Sequence, residues 1–270
     1  MALGWIHPEA YSFNHFLLLE RFQIRLMVNS CGWHNEKAEW QYSMGVALNA
    51  NPAVKEYLKR RCPECTALVD EIATNAPTIT NTAEVRKAEV YALASVEDFT
   101  IYTTPERMAE QCDFIRGWCK ERLFELVDLT GKIVLDVGAG SGRLTFAAAE
   151  KAAWVYASEP VGTLREFMRD KIAKEGIKNI RVLDGLVTEL PFPDDTFDVV
   201  MSGHVIGDDW DAEITEFTRV CKSGGWLIDC RGDSTGDKSS PELVERGWEE
   251  ISYIGSFGTA MYNHRKKIFK

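Results

Sequence analysis

The chain has 270 residues, of which 45% are hydrophobic and 27% are charged, and its formal net charge is −10. This length allows one large or two smaller domains with a buried core, and the composition is ordinary for a globular protein. The negative charge disfavours a nucleic-acid partner, which needs clustered Lys and Arg, and we expect no membrane partner, since the sequence has neither a signal peptide nor an apolar run of about 18 residues.

Residues 1–104 are predicted to form a mainly helical N-terminal domain that caps the domain after it. The apolar spacing favours helices over residues 11–28, 52–60, 66–73 and 83–93. A polar stretch with Trp40 and Tyr42 separates the first two of these helices. This region shows neither an internal repeat nor a low-complexity segment.

Two pairs of metal-ligand residue types lie in this domain: Cys31 with His34, and Cys62 with Cys65. Each pair could occupy two corners of a tetrahedron, and three thiolates with one imidazole suit Zn²⁺. Four protein ligands would make a closed, structural site. Two alternatives stay open: buried cysteines that act as small apolar residues, and a redox Cys-x-x-Cys pair.

The link to the second domain, residues 105–270, is predicted from capping residues. Residues 99–103 are expected to be extended. Thr104 is a typical N-cap and Pro105 a typical first helical residue, and the helix that they begin is predicted to continue through residue 127.

A strand, a glycine-rich turn and a helix are predicted in succession from residue 132 to residue 150. The aliphatic run at the start of this segment is typical of a buried strand. Asp136 ends that run, and Gly138, Gly140 and Gly142 follow it. Because glycine has no Cβ, the backbone can turn sharply there and approach a ligand closely. This segment therefore predicts the first unit of a nucleotide-binding α/β sheet.

Further strand patterns follow at residues 154–159, 180–183, 197–201 and 226–230. The first of them ends in Glu159, close to the spacing of about 20 residues at which a carboxylate binds ribose hydroxyls in such folds. Glu159 would then face the same crevice as the glycine turn.

This glycine spacing and the ordered series of strands resemble the class I S-adenosylmethionine (SAM) methyltransferase family over residues 129–270. The resemblance implies an α/β fold with a doubly wound, mostly parallel seven-stranded sheet, Rossmann-like, with strands at 248–254 and 259–268 as a C-terminal hairpin whose last strand is antiparallel. It also implies an enzyme that uses SAM to methylate a small-molecule acceptor. A cytoplasmic location follows, where the seven cysteines would mostly stay reduced.

The resemblance implies a cofactor site in which the glycine turn lies under the methionine part and Glu159 binds the ribose. The expected residues are Asp136, Gly138, Ala139, Gly140, Glu159, Pro160, Gly185, Leu186, Val187 and Ser202. The acid that many family members carry after the glycine of the adenine region is absent, since Leu186 follows Gly185. Either Asp184 takes that role, or backbone and apolar contacts hold the adenine, which we favour.

His204 is the candidate catalytic residue. It follows the fourth strand, where the family places its reacting groups, and an imidazole can accept a proton at neutral pH. The alternative is a histidine that packs or caps the next helix. The family pattern Asn-Pro-Pro-Tyr, used for planar amines, is replaced here by Met201-Ser202-Gly203-His204, which favours a small-molecule acceptor.

Two other functions stay open. One is a zinc-bearing interaction or regulatory protein on a SAM-binding core. The other is a nicotinamide-dependent oxidoreductase, which would need a Tyr-x-x-x-Lys pair on a helix after the fourth strand. The spacing occurs at Tyr262 and Lys266, within the last predicted strand.

Overall fold

A computed structural model describes residues 4–30, 37–116, 118–232 and 239–270. It divides into two compact units, Met1–Met108 and Ala109–Lys270. None of the helices in these ranges combines the length and the apolar character that a membrane span needs.

The first unit is helical. Its α-helices are α1 (Arg21–Ser30), α2 (Lys37–Ala50), α3 (Pro52–Arg61), α4 (Thr66–Asn75), α5 (Thr82–Ser95) and α6 (Glu97–Tyr102), with short 3-10 helices at Pro8–Ala10, Phe13–Leu18 and Pro63–Cys65. The helices predicted over residues 52–60, 66–73 and 83–93 are confirmed as α3, α4 and α5. The unit has its own core, in which Trp40, Met44 and Leu48 are at most 1% exposed.

The helix predicted over residues 11–28 is wrong in one respect, because it is interrupted. The 3-10 helix Phe13–Leu18 ends at Leu19, whose backbone is extended, and α1 starts two residues later. The Leu19 carbonyl oxygen accepts a hydrogen bond of 2.8 Å from the Tyr57 hydroxyl. A side chain distant in sequence thus takes the oxygen that a continuous helix would use.

One other local prediction in this unit was wrong, at residues 99–103. The polar stretch around Trp40 and Tyr42, for which no element was predicted, is the helix α2, and its buried residues Trp40, Met44 and Leu48 share one face because they are four residues apart. The stretch predicted to be extended, residues 99–103, lies mostly in α6. Thr100 there donates to the Leu93 carbonyl oxygen at 3.0 Å, so a bond to the preceding helix accompanies the helical conformation despite the β-branched side chain.

The connection into the second unit is not the single helix predicted from residue 105 to residue 127. Helix α7 (Pro105–Gln111) is followed by turns and then by α8 (Glu121–Leu126). Within the turns the Asp113 carboxylate accepts a 3.0 Å bond from the Phe114 N–H. Such local bonds between an Asp side chain and the backbone compete with helix formation.

The second unit contains the predicted sheet. Its strands are β1 (Ile133–Val137), β2 (Trp154–Ser158), β3 (Ile180–Leu183), β4 (Phe197–Ser202), β5 (Cys221–Asp229), β6 (Glu249–Ile254) and β7 (Ala260–Lys267). The spatial order is β3-β2-β1-β4-β5-β7-β6. Strands β1 to β5 pair in parallel, and β7 is antiparallel to β5 and β6. The seven-stranded, mostly parallel sheet and its antiparallel last strand are confirmed.

Helices cover both faces of this sheet, as a doubly wound fold requires. The helices after the first strand are α9 (Arg143–Ala149), α10 (Gly162–Glu175), α11 (Trp210–Val220) and α12 (Pro241–Glu245). On one face, residues of α8 and α9 pack with Val134 of β1. On the other face, residues of α11 and α12 pack with Leu135 of the same strand. The alternation along β1 thus divides the core into two layers.

Candidate functional site

The glycine turn after β1 is held at the carboxyl edge of the sheet. Gly138 and Gly140 have φ angles of +63° and +58°, a region that favours glycine. The N–H groups of Gly138 and Ala139 donate to the Ser158 carbonyl oxygen at 2.8 and 3.1 Å. A Cβ added to Gly138 would lie 2.5 Å from the Val205 side chain. The turn therefore contacts the end of β2 and the loop after β4.

Glu159, directly after β2, is joined to this turn by its side chain. The residue is 4% exposed, and its carboxylate accepts bonds of 2.8 Å from the N–H groups of Gly140 and Val161, one at each oxygen. Burial raises the pKa of this carboxyl to about 7, although the two N–H bonds act in the opposite direction. Each oxygen retains lone-pair capacity for a further donor.

Asp136 is buried beneath the turn, with 1% exposure. Its Oδ2 accepts a 2.5 Å bond from the Thr145 hydroxyl, which ties the end of β1 to α9. Burial raises the pKa of the Asp136 carboxyl to about 7. The structure thus gives Asp136 a bracing contact, and its cofactor contact stays a prediction.

The segment expected to hold adenine follows β3, at the same edge. Strands β2 and β3 are parallel, and the Ser158 hydroxyl lies 3.3 Å from the Gly185 carbonyl oxygen. Leu186 and Val187 are half-buried. Asp184 Oδ1 lies 3.2 Å from the Arg165 guanidinium, and the Asp184 side chain is 73% exposed. The Asp184 carboxylate therefore already has a cationic partner on the surface.

The fourth strand brings two more predicted residues to this edge. Ser202 ends β4 and pairs in register with Val137 of β1. His204 is exposed, has a φ angle of +65°, and its ring centroid lies 5.2 Å from that of Phe114. His204 is thus near the glycine turn by topology, and its catalytic role stays a prediction.

The zinc prediction is not supported by the part of the chain that the structure describes. Cys31 and His34 lie outside the described residues. Cys62 and Cys65 are buried, with 3.3 Å between their sulfurs. Within residues 4–30, 37–116, 118–232 and 239–270, no group of three or more His, Cys, Asp or Glu could hold a metal. Zinc at Cys31, His34, Cys62 and Cys65 stays a prediction.

The redox alternative is disfavoured by the environment of Cys62. Burial and the contact with Cys65 raise the pKa of the Cys62 thiol to about 12. Reactive cysteines need the opposite shift, because the thiolate is the nucleophile. The Cys62 thiol therefore behaves as a buried small side chain unless a metal binds it.

A groove of about 420 Å³ lies elsewhere, between α10 and β3. Its lining includes Arg169, Gly176 and Arg181 but none of the residues predicted to bind the cofactor. We therefore assign the candidate site to the carboxyl edge of the sheet, where chemistry-bearing groups converge, and not to this groove.

Several residues of the site could not be found from the sequence. Thr145, Ser158 and Arg165 each support a predicted residue through one hydrogen bond, to Asp136, Gly185 and the Glu159 carbonyl oxygen respectively. Each is an ordinary polar residue within or beside a regular element. Only the spatial arrangement of the strands and helices shows what they contact.

The profile of the methyltransferase domain family matches residues 134–225. This span starts in β1, includes the glycine turn and Glu159, and ends in β5. Residues 134–225 are therefore similar to methyltransferase domains. The glycine turn and Glu159 lie beside the topological switch at β1, which is where open α/β sheets bind ligands.

Curated relatives match part of this chain over part of their own length. A demethylmenaquinone methyltransferase of Geobacillus sp. (strain WCH70) is 28% identical over 161 residues, 57% of this chain and 65% of the relative. An uncharacterised methyltransferase of Anoxybacillus flavithermus is 28% identical over 107 residues, 38% of this chain and 48% of the relative. The chain thus spans about half to two thirds of these two proteins.

A solved structure shows the same fold. The chain matches a Methanococcus maripaludis protein described as an S-adenosyl-L-methionine-dependent methyltransferase, with a TM-score of 0.50 and 19% identity. The match covers 63% of this chain and 93% of that one. The Rossmann-like methyltransferase fold predicted from the sequence is confirmed.

Proposed function

We propose that the chain is a SAM-dependent methyltransferase that transfers a methyl group to a small-molecule acceptor. The observation that carries this proposal is the Glu159 carboxylate, which is buried beside the glycine turn and bonded to the Gly140 N–H. A carboxylate held in this way can accept hydrogen bonds from two ribose hydroxyls without reorganising.

The residues at the carboxyl edge fit the parts of SAM. The Gly138–Gly140 turn offers close backbone approach to the methionine part. Glu159 would hold the ribose, and the half-buried Leu186 and Val187 would hold the adenine. When bound, SAM supplies a methyl group on a sulfonium, and the main demand on the protein is to position the acceptor in line. His204 would accept a proton where the acceptor must lose one.

The proposal names the methyl acceptor only by its class, a small molecule. The Geobacillus relative is a demethylmenaquinone methyltransferase by name, which supports a small-molecule acceptor. The sequence at the end of β4 points the same way, since Met201-Ser202-Gly203-His204 stands where many members of the methyltransferase family carry the planar-amine pattern.

The nicotinamide alternative is weakened by the position of its required pair. Tyr262 and Lys266 both lie on β7, whereas such an oxidoreductase would need them on a helix after β4. A zinc-bearing regulatory protein on a SAM-binding core would keep the same cofactor site, so turnover of SAM separates it from an enzyme.

Calorimetric titration tests the cofactor directly. We expect saturable binding of SAM and of its demethylated product, and none of NADH at the same concentrations. Conversion of SAM to that product in the presence of an acceptor would then establish turnover. Binding of NADH without binding of SAM would contradict the proposal.

We also expect SAM affinity to rise with pH. The Glu159 pKa is raised to about 7 in the free protein, and hydroxyl donors favour the charged carboxylate, so binding releases a proton below that pH. From the free-protein pKa, the dissociation constant should fall about tenfold between roughly pH 6 and 8 and then level off. Dissociation constants of the wild type and of Glu159→Gln are measured at each pH, and their ratio cancels the titration of the ligand. A ratio independent of pH would show that Glu159 does not titrate with binding.

A further inference from the structure

A row of buried polar residues crosses the sheet from Ser202, at the edge of the proposed cofactor site, to β7. Ser202 at the end of β4 pairs in register with Asp229 at the end of β5, and Asp229 pairs with His264 of β7. All three are at most 1% exposed. Register-paired residues on adjacent strands project from the same face. The three side chains therefore form one cluster, which we call the Ser202–Asp229–His264 cluster.

Each member of the cluster has a polar atom without a hydrogen-bond partner in the described structure: Ser202 Oγ, Asp229 Oδ1 and His264 Nδ1. The other Asp229 oxygen accepts a 2.9 Å bond from Arg231 Nε. His264 Nδ1 lies 3.7 Å from that same oxygen, which is too far for a hydrogen bond. His264 Nε2 contacts Glu250 Oε2 at 3.1 Å.

Unpartnered polar atoms of this kind are uncommon in protein interiors, because burial removes their bonds to water without replacing them. Three of them lie on adjacent strands and at the same height along the strands. We take this arrangement to indicate that a polar group of a ligand binds to the cluster. Their level is the carboxyl edge, where Ser202 also pairs with Val137 at the start of the glycine turn.

The charge of Asp229 limits what this group can be. Burial raises the pKa of the Asp229 carboxyl, but His264, Arg231 and His204 outweigh burial and hold it below its ordinary value. Asp229 is therefore ionised at neutral pH, and an ionised carboxylate only accepts hydrogen bonds. A partner must donate, which favours a hydroxyl or an amine and disfavours a carboxylate or phosphate.

We propose that the Ser202–Asp229–His264 cluster binds the hydroxyl or amine of the methyl acceptor, with Asp229 Oδ1 as the hydrogen-bond acceptor. This inference rests on the proposed function, since it assigns the second substrate of the same enzyme. It adds a binding residue, Asp229, next to the candidate base His204. The hydroxyl or amine of the methyl acceptor would donate a hydrogen bond to the Asp229 carboxylate, which would orient it. Ser202 and His264 would form hydrogen bonds with the other donor or acceptor positions of that group.

Small probes test this without knowledge of the natural acceptor. Phenol carries a hydroxyl and aniline an amine, whereas anisole has a similar ring and no donor. Their dissociation constants and binding positions follow from amide chemical-shift titrations of the isotope-labelled protein. A bond to a buried carboxylate should make phenol or aniline bind roughly tenfold or more tightly than anisole, with shifts at the ends of β4 and β5. Whichever donor binds also identifies the acceptor class.

Variants test whether the cluster causes the tighter binding of phenol or aniline over anisole. Asp229→Asn should reduce the preference for the donor probe to within about twofold, because it removes the charge and one acceptor oxygen. Asp198→Asn is the matched control: this carboxylate lies at the other end of β4, is already bonded to the Ile133 N–H and to Lys222, and should leave the preference unchanged. Ser202→Ala provides a second test if Asp229→Asn does not fold, since the Ser202 hydroxyl has no bond to lose; donor affinity should fall severalfold.

Equal binding of all three probes to the wild type, binding elsewhere, or no binding of phenol and aniline would overturn the inference. So would an undiminished preference in both Asp229→Asn and Ser202→Ala. Because these titrations contain no SAM, their failure is distinct from failure of the proposed function, which is measured by SAM binding alone.

Discussion

Replacing Glu159 with Ala should weaken SAM binding by about 2–3 kcal/mol, or roughly 30- to 160-fold, because charge-assisted bonds to the ribose would be lost. The Glu159 carboxylate is nearly fully buried and already bonded to the N–H groups of Gly140 and Val161. Its position is therefore set before the ligand arrives, and little of the bond energy is spent on ordering it. Calorimetric titration of the wild type and the variant with SAM measures the loss.

Two control variants make this result specific to Glu159. Glu166→Gln removes a carboxylate from the surface of α10, where it pairs with Arg169 and is 67% exposed, and should change SAM affinity less than twofold. Asp184→Asn should also have little effect, since we assign adenine to apolar and backbone contacts. A large loss in Asp184→Asn would instead assign the adenine amino group to Asp184. An unchanged affinity in Glu159→Ala would remove Glu159 from the site.

Replacing Gly138 with Ala should lower the free energy of unfolding of the second unit by about 2–5 kcal/mol. About 1–2 kcal/mol of this comes from the φ angle of +63°, which strains a residue with a Cβ. A further 1–3 kcal/mol or so comes from overpacking, because the added Cβ would lie 2.5 Å from the Val205 side chain. Urea denaturation of the purified variants provides the measurement.

A substitution at Gly131 distinguishes the backbone strain from the overpacking. Gly131 has a φ angle of +70°, and a Cβ there would meet nothing within 4 Å. Gly131→Ala should therefore show the strain alone. The double variant Gly138→Ala with Val205→Ala should lose less than the sum of its single changes, since the clash is shared. Equal losses in Gly138→Ala and Gly131→Ala, with additive behaviour in the double variant, would contradict the close packing of the turn against the loop after β4.

The α/β core could be predicted from the sequence because its signals are local. The aliphatic run of β1, the glycine turn and the start of α9 are consecutive, and Glu159 ends the next strand in the same pattern. Parallel strands bring such residues to one edge whatever the details of the loops. The cofactor side of the candidate site follows from that rule, and its individual contacts stay predictions.

The N-terminal unit was harder because side-chain contacts that the apolar pattern does not reveal accompany its elements. Thr100 and its neighbours have the composition of a strand but form α6, with the Thr100 hydroxyl bonded to Leu93. Leu19 ends a helical turn although the apolar pattern continues through it, and its carbonyl oxygen is bonded to Tyr57. Neither partner can be identified from periodicity.

The Ser202–Asp229–His264 cluster could not be predicted from the sequence for a similar reason. Asp229 ends an apolar strand and His264 lies in a basic run, and each is unremarkable alone. Only the antiparallel register of β5 with β7 places them opposite one another. The sequence did indicate that the region after β4 carries chemistry, through His204, but not which residues of the other strands face it.

A crystal structure of the protein with the demethylated product of SAM tests the central claim most directly, through one pair of distances. The account predicts that the two ribose hydroxyls lie within about 3 Å of the Glu159 carboxylate oxygens, with the amino-acid part of the ligand over Gly138 and Gly140. A ligand bound at another edge of the sheet, or a ribose turned away from Glu159, would contradict it.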